Sequence, residues 1–464
     1  VSPLLIAAFV LTVWQLLGRP LPRLPVLAAP ATSRIVVAVG SIVLVAAFAG
    51  QILLLVYQAG HDGARAAWFA DTPLAFVDDA YPFGDAHGAV SLLALGLVLL
   101  QTAGMGALLI GLAAGPEERE GRLARGLVPF TAGLMAVIAV WSPAVGSGDA
   151  FGYVGLGMLG NHVFERPAGF FAPEFARVFD HYPLRPTIYG PLWIGLNAAV
   201  VSFGSGFLGK ILVLRLFGVL LLAAFAWLAG RLTGSRIVDA AVLLNPFLWL
   251  QFVTDAHNDL LAVVLLTAAV AIAASSRPVW AIAAVVAAGL VKLPFLVIGV
   301  VVFGRLGARR AILYSAVAVA LCVAISAVFG GKPYLDALLA TAGGRRAVMD
   351  PLLQGAKTAG ALSALGVTAW VVLRGRFPAF GGWLYPALAP VLFPWYLVWA
   401  VPYALAARQG VLATLIALPV LAVLSDTIYA LDAFALLLPA TAIAVLVLSL
   451  RGPAASRRLP SPSG

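Results

Sequence analysis

Apolar runs of about 15–25 residues follow one another along almost the whole chain, separated by short polar connectors. They do not alternate in polarity, so they predict helices rather than the strands of a membrane barrel. Helices satisfy their backbone polar groups internally, which lipid demands of any structure that crosses it. The composition agrees: 62% of 464 residues are hydrophobic and 10% are charged, with a mean hydropathy of +1.03. A soluble domain would need far more polar surface. The expected fold is an all-α polytopic membrane protein of about 11–14 membrane helices, some of half length.

The net charge is +10, but the basic residues stand in pairs and triplets between apolar runs. That pattern marks cytoplasmic loops beside membrane lipids and argues against a nucleic-acid partner. The single cysteine, Cys322, excludes an intramolecular disulfide and is expected as a small core residue. Pro3–Leu17 lacks a preceding basic stretch and reads as a short membrane helix, not a cleaved signal. Residues 451–464 are polar and rich in Pro and Ser, and are expected to be a disordered cytoplasmic tail.

Basic connectors lie at Arg19–Arg34, Arg119–Arg125, Arg231–Arg236, Arg277, Arg305–Arg310, Arg374–Arg376, Arg408 and Arg451–Arg458. If all are cytoplasmic, the exterior tips are His61–His87, Gly146–Pro186, Asp255–Asp259, the region of Lys292, Gly331–Gln354, Pro394–Tyr396 and Ser425–Asp432. Those tips hold most of the acidic, histidine and aromatic-polar residues. This arithmetic requires Thr187–Phe203 to enter the membrane without crossing it. It also favours a break at Lys292-Leu-Pro294, because a lysine at mid-bilayer costs several kcal/mol and Pro294 suits a helix end.

The candidate functional residues cluster at the tips. Asp149 follows a helix ending near Trp141, and about forty residues separate it from the next helix. Within that loop, Gly169–Ala172 and Glu174–Phe179 are expected to form amphipathic helices on the membrane surface. Asp149 could equally be a solvated helix-end carboxylate. Asp255, His257, Asn258 and Asp259 form a dense polar turn after Asn245-Pro246, which an ordinary N-cap by Asp255 or Asn258 would also explain. One histidine with two aspartates selects no particular metal. Arg345 and Arg346 break the charge rule on an exterior loop, where they suit phosphate or lipid headgroups. Pro394-Trp395-Tyr396-Leu-Val-Trp399 reads either as an interfacial aromatic belt or as surfaces for sugar rings.

Taken in order, these motifs resemble a known family. Asp149 with Tyr153, Tyr189-Gly-Pro-Leu-Trp193, Asn245-Pro246 with His257-Asn258-Asp259, Val291-Lys292-Leu-Pro294 and Pro394–Trp399 resemble the polyprenol-phosphate-mannose-dependent α-mannosyltransferases. These are α-1,6-mannosyltransferase-like members of the type C glycosyltransferase superfamily. The resemblance runs from about Trp141 to Tyr403. It implies a type C fold in which residues 1–126 form N-terminal helices, 127–310 the catalytic module and 311–450 the helices completing the substrate cavity. It implies a polyprenyl-phosphate sugar donor and a glycan or glycolipid acceptor. The site would face the exterior of a bacterial inner membrane.

Asp149 would be the base of an inverting transfer, and Lys292, Arg345 and Arg346 would bind the donor phosphate. Tyr153, His181, Tyr189, His257, Asn258, Asp259, Trp395 and Tyr396 would orient substrates. Side chains can neutralise a monophosphate leaving group, so neither metal nor cofactor is expected. The small residues around Asp149 and the stretch His181-Tyr-Pro-Leu-Arg185 depart from the family pattern. The rival readings are a secondary transporter, with Asp149, Asp259 and Lys292 as coupling residues, and a flippase or ligase of polyprenyl-linked glycans.

Overall fold

The computed structural model describes residues 33–60, 87–113, 119–143, 149–160, 163, 187–275, 277–346, 351–378, 381–389 and 393–429. The protein is an all-helical polytopic membrane protein, and the described residues contain no strand. Among them, five helices are long and apolar enough to cross a membrane, and a bent pair brings the number to six. Pro3–Leu17, the loop around His181 and the tail after Leu450 lie outside the described residues.

Three helices come first: α1 (Ser33–Gly60), α2 (His87–Ala113) and α3 (Arg119–Trp141). They pack side by side. Lipid tails do not drive apolar helices together, so buried polar contacts between helices matter more. Here Ser41 and Thr131 share a hydrogen bond of 2.6 Å, and the Gln101 amide donates to Gln51 Oε1 and to the Ala47 carbonyl.

A short helix, α4 (Asp149–Leu159), starts at Asp149 itself. The expected long loop therefore opens as a helix. Next comes α5 (Pro191–Ser202). Its 12 residues extend about 18 Å, too short for a hydrocarbon core of about 30 Å. It falls within the stretch expected to enter the membrane without crossing it. The Lys210 ammonium caps its end by donating to the carbonyls of Val201 and Gly204. Helix α6 (Gly206–Thr233) then runs 28 residues.

Two helical stretches are broken by proline. Helix α7 (Arg236–Leu243) stops before Pro246, which has no N–H to continue the ladder. Asn245 caps the next turn, α8 (Pro246–Trp249), by accepting from the Phe247 amide at 3.1 Å. Its own amide donates to the Leu415 carbonyl at 2.7 Å. The axis bends by 48° and passes into a π-turn, Leu250–Thr254. Beyond it lie α9 (Asp259–Ala274) and α10 (Pro278–Val291).

The second break falls at Lys292, whose backbone is extended. Helix α11 (Pro294–Val300) then starts with proline in its first turn and tightens into a 3₁₀ segment, Val301–Leu306. The half-length helices expected around Lys292 are therefore present.

Helix α12 (Ala308–Phe329) is the least covered span, with 11% of its apolar window buried. Its outward leucines and valines are the surface that lipid would solvate. Helix α13 (Gly331–Arg346) occupies most of the tip that the sequence suggests is a loop. After α14 (Pro351–Arg374) come 3₁₀ segments at Gly381–Leu388 and Pro394–Trp399, then α15 (Ala400–Ala407) and α16 (Val411–Tyr429). The last of these carries Ser425–Tyr429, also expected in a loop, as helix. Cys322 is a free, buried thiol on α12.

Candidate active site

The α4 N-terminus, the turn between the π-turn and α9, the break at Lys292 and the Pro394–Trp399 segment meet at one polar centre. Asp149, the first residue of α4, keeps 34% of its side-chain surface exposed, while its partner His257 keeps none. His257 Nδ1 lies 3.1 Å from Asp149 Oδ2. One helical turn on, Tyr153 brings its hydroxyl within 3.3 Å of Asp149 Oδ2, Tyr189 Oη and Asn258 Oδ1 alike. Tyr153 has one O–H proton, so it donates to one of these acceptors at a time. The α4 backbone is tied to α5 by the Asn197 amide, which donates to the Tyr153 carbonyl at 2.7 Å.

Burial pushes the Asp149 carboxyl upward. The hydrogen bond and charge of His257, the charge of Lys292 and the Tyr153 hydroxyl outweigh that push. The group therefore sits below the ordinary aspartate value and is ionised at neutral pH. Burial, with Tyr189, Asp149 and Asp259 nearby, raises Tyr153 well above the ordinary phenol value. Tyr153 thus keeps its proton and acts as a donor.

A second ionic pair adjoins the first. Lys292 Nζ donates to both carboxylate oxygens of Asp259, at 3.0 and 3.1 Å. Trp399 Nε1 donates to Asp259 Oδ1 at 2.7 Å. The ammonium also faces three rings, with centroids at 4.5 Å for Tyr396, 5.6 Å for Tyr189 and 5.7 Å for Trp399. The sequence presents Lys292 as an isolated charge in an apolar stretch. The fold pairs it, because Asp259 opens α9 directly beside the break.

Proline explains how the Tyr189 motif reaches this centre. Pro294 has no N–H, so the Leu290 carbonyl loses its helical partner. At the same break the Gly190 amide donates to the Val291 carbonyl at 3.0 Å. A Cβ at position 190 would lie 2.0 Å from the Leu290 oxygen. Only glycine lets the two backbones meet there, and that contact sets Tyr189 over Lys292.

The bland readings of two motifs do not survive the geometry. Asn258 occupies the N-cap position of α9, but its side chain makes no capping bond; its Oδ1 lies 3.3 Å from the Tyr153 hydroxyl instead. Trp395, Tyr396 and Trp399 are buried at 8%, 6% and 0% exposure, so they cannot face lipid as an interfacial belt. Trp395 stacks on His257 at 4.0 Å and on Phe393 at 4.3 Å. Exposed Trp141 and Trp280, at the ends of α3 and α10, fit the interfacial pattern better.

The structure thus joins Asp149, Tyr153, Tyr189, His257, Asn258, Asp259, Lys292, Trp395 and Tyr396. His181 lies outside the described residues. Arg345 and Arg346 end α13, and their side chains lie outside the described part. The sequence gives no sign that Trp399, at the end of the Pro394–Trp399 motif, holds Asp259. Arg215 is also absent from the sequence-based candidates, although its signal was a lone arginine inside an apolar helix. Among the described residues, no three His, Cys, Asp or Glu side chains gather as a metal site would require.

The fold and this centre define a membrane protein with an ionised, partly exposed carboxylate held beside an imidazole, between helices that are broken to admit it. Residues 135–309 match the family model described as alpha-(1->6)-mannopyranosyltransferase, N-terminal domain, a similarity consistent with a mannosyltransferase family. The match supports a mannosyl-transferring glycosyltransferase, which acts on a sugar donor and an acceptor. It includes every site residue from Asp149 to Lys292, and leaves Trp395, Tyr396, Trp399, Arg345 and Arg346 beyond its end. No curated protein and no solved structure matches the chain.

Proposed function

We propose that the chain transfers a mannosyl unit from a polyprenyl-phosphate donor to a hydroxyl of a glycan or glycolipid. The reaction takes place at the exterior face of a bacterial inner membrane, on a type C glycosyltransferase fold whose catalytic module is residues 127–310. The observation that carries this reading is Asp149: ionised, one-third exposed and fixed by His257 and Tyr153, inside the segment that matches the mannosyltransferase model.

Transfer proceeds with inversion. The acceptor oxygen attacks the anomeric carbon and its proton passes to Asp149. The bond from that carbon to the phosphate oxygen breaks, and polyprenyl phosphate leaves with the electron pair. A base must lie within hydrogen-bond reach of the hydroxyl it deprotonates, and a carboxylate at a fixed helix start offers that geometry.

Lys292, Arg345 and Arg346 offset the charge gained by the leaving phosphate. An ammonium has three N–H bonds, so Lys292 can hold Asp259 with two and turn the third to the phosphate. His257, Asn258, Asp259 and the tyrosines 153, 189 and 396 orient the substrates with Trp395 and His181. The scheme needs neither metal nor cofactor.

The test is transfer by purified protein supplied with a defined polyprenyl-phosphate mannose and a hydroxyl acceptor. Release of polyprenyl phosphate in step with a new glycosidic bond supports the proposal. Solute uptake or lipid flipping without transfer would return the chain to the transporter or flippase reading. The exterior assignment has a separate check. In a Cys322→Ala background, Lys332→Cys should react with an impermeant thiol reagent on intact cells, because Lys332 is exposed at the start of α13. Arg309→Cys, exposed at the other end of α12, should react only after permeabilisation. The opposite pattern overturns the topology.

A further inference from the structure

Arg215 lies inside the long apolar helix α6 and is only 1% exposed. Burying a guanidinium is costly unless its donors and its charge are answered. Here the answer is backbone. Nε and Nη2 donate to the Thr254 carbonyl at 2.9 and 2.8 Å, and Nη1 donates to the carbonyls of Val140 and Ser142, the former at 2.9 Å. Buried Asp255 supplies an opposite charge nearby. The carbonyls of Val140 and Ser142 close α3, and that of Thr254 closes the π-turn. Such terminal carbonyls lack helical partners and carry the negative end of the helix dipole.

The gripped π-turn leads directly to His257, and the gripped end of α3 at Ser142 lies seven residues before Asp149 in the chain. His257 follows Thr254 after two residues. The second of those, Ala256, has φ of 56°, a conformation that side chains with a Cβ rarely adopt. The Asp255 and His257 amides are pinned to the carbonyls of Leu250 and Gln251 at 3.0 and 3.1 Å. A left-handed alanine after a π-turn aims the imidazole, and such a turn persists only where its surroundings over-determine it. α6 presses on the same turn: a Cβ at Gly218, one turn beyond Arg215, would lie 2.4 Å from the Phe252 carbonyl.

We infer that Arg215 is a positioning residue for transfer: one planar fork locks the end of α3 to the end of the π-turn and so sets the Asp149–His257 geometry. The inference rests on the reading of Asp149 as the base. It concerns a residue whose guanidinium donates to backbone carbonyls of the segments that precede Asp149 and His257 in the chain.

The test is Arg215→Lys, whose compact ammonium cannot span both sets of carbonyls. In folded, purified protein, kcat should fall by about ten- to a hundredfold, the scale of a misplacement of about 1 Å. KM for the donor should stay within about threefold. The pH profile gives a second reading. His257, Lys292 and Tyr153 hold the Asp149 carboxyl down against its burial. Loosening His257 removes part of what holds the carboxyl down, so the acidic limb of kcat/KM should move to higher pH.

In an Asp149→Asn background the same change should cost less than about threefold more, because groups acting as one unit do not add. Should Arg215→Lys fail to fold, Arg215→Gln, which still carries a donor for Thr254, takes the same readings. The inference is overturned if the variant loses only thermal stability while kcat and the acidic limb stay put, or if the losses multiply in the double variant. Near-normal turnover by Asp149→Asn alone would instead overturn the reading beneath it.

Discussion

Asp149→Asn is expected to lower turnover by at least about a hundredfold, the usual scale for removal of a general base. The asparagine keeps the size of the side chain and one oxygen for the Tyr153 hydroxyl and the His257 ring. The 3.1 and 3.3 Å contacts that hold this corner therefore largely persist, and donor binding should survive. What disappears is the ability to take a proton. The depressed carboxyl also fixes the pH response. Asp149 accepts a proton only when ionised, and His257, Lys292 and Tyr153 together keep it ionised below the ordinary aspartate range. Activity should therefore persist into mildly acidic solution and fall as the pH drops through the depressed value. Steady-state transfer by the purified variant, with donor binding measured in parallel, checks both points. A variant that transfers near-normally would reduce Asp149 to a structural helix-start residue.

Lys292→Met is expected to destabilise the fold by about 3–5 kcal/mol, because it leaves a buried charge without its counterion. Asp259 is fully buried, and its remaining donor would be the Trp399 indole. Lys292→Met combined with Asp259→Asn should recover most of that loss, since a neutral amide can still accept from Trp399. The two effects on Lys292 then separate. The double variant should be nearly as stable as the parent, yet bind polyprenyl phosphate more weakly by about 1.5–3 kcal/mol, as for a lost hydrogen bond to a charged group. Thermal unfolding in detergent and a lipid-phosphate binding isotherm give the two numbers. If the single variant is as stable as the double, the pair carries no buried charge of consequence. If the double variant binds the lipid phosphate normally, Lys292 is a structural partner of Asp259 and nothing more.

Much of the architecture could be read from residues in order. Long apolar runs set off by arginines require membrane helices, because lipid leaves the backbone no other partner. Proline at 246 and 294 dictates where two of those helices must stop, since a missing N–H and a ring clash act locally. The short reach of Pro191–Ser202 is likewise a matter of length alone. The candidate residues were legible too, because charge and amide groups in an apolar chain are costly enough to need a reason.

Pairing was not legible. Nothing along the chain says that Lys292 meets Asp259, that Trp395 leaves the membrane surface to stack on His257, or that Arg215 ties two helix ends together. Those contacts join positions from 33 to 138 residues apart, through helix axes whose bend and rotation depend on every neighbour. Local chemistry determined which helices form and where they break. Only the packing of the broken ends decided which charges neutralise one another and which carboxylate, Asp149, keeps an exposed side. The physical reason is that desolvation and hydrogen bonding at a buried site depend on what surrounds it in space.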